Sequence, residues 1–114
     1  MSELSKEHVI EIVSSMMENY PEAGQGSVME CYAWDYETNT FSFCDTEERA
    51  NYELTQEKLI ATFPLIKSDK WPKGCTPPPK REEVEEWRVW LCHADAQDFD
   101  AFVQLCCHGE VIYG

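Results

Sequence analysis

Apolar residues recur at two different periods along this chain, and each change of period marks an element. Between residues 6 and 20, Val9, Ile12, Val13, Met16, Met17 and Tyr20 return every three or four positions. That spacing winds one apolar stripe along an α-helix, with Glu7, Glu11 and Glu18 on its outer side. Ser5 is placed to cap the first turn and Pro21 to stop the run. Residues 21–27, with Gly24 and Gly26, read as a turn. Residues 27–34 then alternate weakly, with Val28, Tyr32 and Trp34 on one face and Met29, Cys31 and Ala33 on the other. Residues 41–44 alternate again, and the intervening segment 35–40 carries turn chemistry, so the pair predicts a β-hairpin.

The second half returns to the helical period. Thr55 is placed to cap a helix that buries Leu59, Ile60 and Phe63, and Pro64 kinks or ends it. Residues 68–79 form a proline- and glycine-bearing loop, long for a domain of this size. Residues 79–93 predict a helix with Val84, Trp87, Leu91 and Ala94 on one stripe. Asp95 or Asp98 caps a last helix reaching Cys107, with Phe99, Phe102, Val103 and Cys106 inward and Gly109 as its C-terminal cap. Residues 110–113 read as a short final strand. The order α-β-β-α-α-α(-β) predicts an α+β fold, about four helices packed on a small antiparallel sheet. With 114 residues, the whole chain is expected to form a single domain.

Composition adds charge to this picture. The chain holds 22 acidic residues against 9 basic ones, a formal charge of −13, while 43% of residues are hydrophobic and 12% aromatic. That apolar content suits a folded domain rather than a disordered acidic tail. The charge is segmented. Residues 1–57 hold 13 acids and 2 bases, residues 58–81 hold 6 bases and 1 acid, and residues 82–114 hold 8 acids and 1 base. An excess of acid disfavours direct nucleic-acid binding, which needs Lys and Arg to displace phosphate counterions. It equally disfavours docking on anionic lipid. No apolar run approaches the ~18–20 residues of a membrane span. The first residues show neither the basic nor the apolar part of an export signal, so the expected location is cytoplasmic. A reducing compartment makes Cys31, Cys44, Cys75, Cys92, Cys106 and Cys107 free thiols.

Zinc sites use paired ligands two to four residues apart, and the nearest approach is Cys92-His93 with Cys106-Cys107-His108. Neighbours on a helix point about 100° apart, so that spacing predicts core thiols rather than a metal centre. A nucleophilic thiol needs a base beside it, and Cys75, in the loop between Lys73 and Lys80, is the one reactive candidate, with His93 or His108 as base. Among the carboxylates, Glu30 is the acid expected to be most enclosed. No phosphate-binding glycine pattern occurs. The expectation is therefore no catalytic residue, no metal and no cofactor, with a small zinc- or thiol-dependent enzyme as the alternative.

Interaction is the leading reading. Thirteen net charges equal those on about 22 Å of duplex DNA, so the domain has enough charge to imitate a short nucleic acid. The candidate contact residues are Glu82, Glu83, Glu85 and Glu86, a second group of Asp95, Asp98 and Asp100, and Trp71, which sits between lysines in the long loop and has folding back over the core as a lid for its equal alternative. The expected partner is a basic protein such as a nucleic-acid-binding enzyme. By size and charge alone, this places the chain beside toxin-immunity proteins and phage-encoded inhibitors of host defence nucleases. The expected state is a monomer or small homo-oligomer. An oligomerising structural protein, using Trp71 and a strand edge, is a further alternative.

Overall fold

A computed structural model describes residues 4–23 and 28–113. Helix α1 spans Lys6–Ala23, and strands β1, β2 and β3 span Met29–Asp35, Thr40–Asp45 and Ala50–Leu54. Helix α2 covers Gln56–Thr62 and runs into a 3₁₀ segment, Phe63–Lys67; α3 covers Val84–His93 and α4 covers Ala96–His108. Four helices on a three-stranded antiparallel sheet of order β1-β2-β3 make this an α+β fold. The turn read around Gly24 and Gly26 lies outside the described residues.

Local chemistry explains most of these boundaries. The Ser5 hydroxyl accepts the His8 backbone N–H, and the Thr55 hydroxyl accepts that of Lys58. Asp95 caps α4 with a reciprocal pair: its carboxylate accepts from Asp98 N–H while the Asp98 carboxylate accepts from Asp95 N–H. Gly109 ends α4 at φ +76°, the left-handed conformation a side chain would oppose. The α1 stripe is buried from Ile12 to Tyr20 and half-buried at Val9, and Phe99, Phe102, Val103 and Cys106 on α4 are buried as their spacing predicts. Every residue of α4 from Ala101 to Cys106 is buried, which makes it the central helix. The radius of gyration is 13.3 Å, close to the ~13 Å of a compact chain this long.

Several expectations are corrected. Helix α1 runs through Pro21 to Ala23, because a proline in the last turn removes one donor without unwinding the turns before it. Helix α3 begins at Val84 rather than near Pro79, since Glu83 keeps extended backbone angles. The face assignment of the first strand fails at a bulge: Cys31 lies opposite Phe43 but Ala33 lies opposite Ser42, so Tyr32 is the extra residue. Beyond the bulge, Trp34 pairs with the buried Phe41 and shares its face.

Two further corrections concern strands. Strand β3 was not anticipated, and the turn leading into it copies the first. Asp35 and Asp45 each accept the backbone N–H two residues on, and each turn closes on a left-handed residue, Asn39 at φ 54° and Arg49 at φ 58°. Conversely, residues 110–113 form no strand. The buried Gln104 side chain takes the place of a strand partner. Its Oε1 accepts the N–H groups of Ile112 and Tyr113, and its Nε2 donates to the Tyr113 carbonyl.

Candidate partner-binding surface

Helix α3 presents the first acidic group. Glu83 stands at the N-cap, and Glu85 and Glu86 lie in the first turn, where the helix dipole favours negative charge. Much of this charge is already engaged. Lys67 reaches Glu82 at 2.6 Å, and Arg81 stands 4.0 Å from Glu83. Arg88 contacts Glu85 at 2.8 Å and Glu11 at 3.0 Å. The Arg88 hydrogen bond holds the Glu11 carboxyl below the usual range. Among the described residues, Glu86 alone of the four α3-side glutamates makes no ion pair.

The second acidic group disperses into structural duties. Asp98 is wholly buried and accepts from Thr76 N–H at 2.7 Å, the Thr76 hydroxyl at 2.6 Å and Asp95 N–H at 2.9 Å. Asp100 is half-buried and accepts from Gln104 at 2.7 Å and the Tyr20 hydroxyl at 3.2 Å. Asp95 remains exposed as the cap of α4. Trp71, read as an interface anchor, is only 8% exposed and folds back as a lid. Its indole N–H donates to the Thr76 carbonyl, which also receives that of Trp90. Trp90 is buried as well and continues an aromatic row with Trp87 and Phe63. Asp98 and Trp71 therefore offer no free surface to a partner.

Between the proline loop and α3 lies a groove of about 510 Å³. Pro77 and Pro79 line it from the loop, and Glu85, Glu86, Val89 and His93 line it from α3. Val89 is 57% exposed and offers the groove an accessible aliphatic side chain. Behind the loop, a second hollow of about 360 Å³ is bordered by Lys67, Lys73 and Lys80. The basic middle of the sequence thus forms its own surface, and Lys70 caps α4 by donating to the Gly109 carbonyl.

The β-hairpin carries exposed aromatic residues that were not among the candidate contact residues. Tyr32, Trp34 and Tyr36 are 57%, 48% and 47% exposed, and the Trp34 and Tyr36 rings lie 6.4 Å apart. Strand β1 is a sheet edge. The signal was in the sequence as three aromatics alternating over five residues, but the bulge at Tyr32 interrupts that alternation and pairs Trp34 with Phe41.

The nucleophile and metal readings meet specific chemistry. Cys75, expected to be exposed, is buried, and burial together with Asp98 pushes its thiol up to about 12. Burial does the same for Cys106 and Cys107. Such thiols resist forming the reactive thiolate. Cys92 and Glu30, expected to be enclosed, are exposed. Among the described residues, the three side chains whose ligand atoms gather within 4.8 Å are Asp45, Glu48 and His108. Asp45 is wholly buried, and its oxygens accept from Glu47 N–H, Glu48 N–H and the Tyr113 hydroxyl, with His108 Nε2 at 2.9 Å. Burial raises the Asp45 carboxyl, but these hydrogen bonds outweigh it and hold it below its ordinary value. The group is a polar clamp joining the β2–β3 turn to the end of α4 and to Tyr113.

Comparison with protein-family models, curated proteins and solved structures returns no match.

Proposed function

We propose that this chain is a non-enzymatic acidic interaction module that occupies a basic, nucleic-acid-binding surface on a partner protein, as an inhibitor or immunity-type protein does. The observation that carries the reading is the α3 face. Two glutamates in the first helical turn, Glu85 and Glu86, help line an apolar groove, and among the described residues Glu86 makes no ion pair, on a chain of net charge −13. Charge of this sign steers encounter with a basic partner, while an apolar centre supplies the burial that holds the complex. The thiols raised to about 12 weigh against a cysteine nucleophile.

The test is capture by the immobilised full chain from a lysate of its source cells at low and high salt. The expected result is a basic protein that high salt releases and duplex DNA displaces. Substituting Glu82→Lys, Glu83→Lys, Glu85→Lys and Glu86→Lys together is expected to abolish capture while circular dichroism stays native. Undiminished capture by that variant would refute the reading. A second reading, self-association through the β1 edge, is favoured by the exposed Tyr32, Trp34 and Tyr36. A monomer by light scattering at high concentration would remove it.

A further inference from the structure

We infer that the groove between the proline loop and α3 binds a Lys- or Arg-bearing extended peptide segment, seating the aliphatic stem of a cationic side chain against the exposed Val89 and the loop prolines and its head group at Glu86. This rests on the reading of a basic partner and says where and how such a partner is held. The groove joins two chemistries that few ligands satisfy together. Its lining is apolar at Pro77, Pro79 and Val89. It is acidic at Glu85 and Glu86. Lys and Arg combine an apolar stem with a charged head and so match both.

The two carboxylates are not equivalent. Arg88 holds Glu85 at 2.8 Å, whereas Glu86 has no ion pair among the described residues. An incoming cation therefore finds its partner at Glu86 without first displacing Arg88. A volume of about 510 Å³ lies within the ordinary range of ligand sites and has room for more than one side chain. That favours a peptide segment over a single free amino acid.

The site is also built in advance. Proline fixes φ at two wall positions. Thr76, at the head of the proline run, is tied to the buried Asp98 through both its N–H and its hydroxyl. Its carbonyl fixes the Trp90 indole at 3.2 Å. A ligand entering this groove meets walls already in place, which lowers the ordering cost of binding.

The test is titration of the ¹⁵N-labelled full chain with an end-blocked lysine-leucine-arginine-lysine peptide, followed by NMR. The controls are the same peptide with glutamate at its charged positions and an all-neutral leucine-serine peptide. Saturable shifts are expected at the amides of Val89 and His93 and at the Trp90 indole N–H. Affinity should fall at least tenfold in Glu86→Lys and in Val89→Asp, two surface changes, each checked for an unchanged melting temperature. The double change Asp35→Lys, Glu37→Lys on the hairpin should leave it intact. Shifts that map elsewhere, equal binding of the neutral peptide, or full affinity in Glu86→Lys would overturn the inference. Basic-peptide binding mapped to the hairpin would refute the groove yet leave the acidic-module reading standing. Failure of the fourfold reversal to affect partner capture would refute that reading itself.

Discussion

Asp45 and Asp98 are both wholly buried carboxylates, and they pin opposite ends of α4. Asp98 sits in its first turn and ties it to the proline loop through Thr76. Asp45 meets its last turn through His108 and ties it to the sheet and to Tyr113. The difference lies in what surrounds each. Asp98 accepts only from neighbours in the loop and the cap, whereas Asp45 gathers donors from three separate segments. The comparison also shows that acidity counted along a chain overstates acidity at its surface, because among the described residues Asp45 and Asp98 are wholly buried.

The largest expected effect comes from removing the loop anchor. Asp98→Ala leaves the Thr76 and Asp95 N–H groups without their acceptor and should cost about 3 kcal/mol in urea unfolding, the upper end for charge-assisted hydrogen bonds. A cost under about 1 kcal/mol would show that the loop is held by its tryptophans instead.

The sheet-side anchor is sharpened by pH. The Asp45 carboxyl is held below its ordinary value near 3.8. The unfolded chain therefore binds the proton first, and the stability from Asp45 is complete above that value and lost as pH falls through the folded one. Melting temperature should decline steeply below about pH 4, and Asp45→Asn should flatten that decline. An equally steep decline in the variant would assign acid sensitivity to other carboxylates, such as Glu11 beside Arg88.

The smallest effect belongs to the surface. Lys67→Ala removes the contact with Glu82, a pair about one-third to one-half exposed, and should cost about 0.5 kcal/mol or less by thermal unfolding. A larger cost would make the basic stretch a structural partner of α3 on the scale of the buried anchors.

Which parts were legible in the sequence follows from the range of the forces involved. The stripes on α1 and α4, the caps at Ser5, Thr55, Asp95 and Gly109, and the first hairpin are local, because each signal lies within a turn or two of its partner. Strand β3 was not legible. Its alternation in Ala50-Asn-Tyr-Glu-Leu54 exposes its polar positions, and its entry turn closes on Arg49, a residue with no turn preference. The repeated spacing from Asp35 to Asn39 and from Asp45 to Arg49 was the available clue. The candidate contact residues divided along the same line. Glu85 and Glu86 were placed by helix periodicity and remained at the surface. Asp98 and Trp71 were drawn inward by Thr76, a partner on another segment of the chain for Asp98 and a carbonyl five residues on for Trp71. The Tyr32 bulge depends on register with β2, which no single strand encodes.

Thr76 carries a consequence for how the molecule opens. Its N–H and hydroxyl are given to Asp98, and its carbonyl receives two indoles, so four hydrogen bonds from three elements converge on one residue. None of the four is easily broken while the others hold the residue still. By composition, the proline loop is the segment one would choose as the first to fray. By its fastening, it opens as one cooperative unit with the N-terminal turn of α4 and the middle of α3, so its fluctuations are rare and concerted rather than frequent and partial.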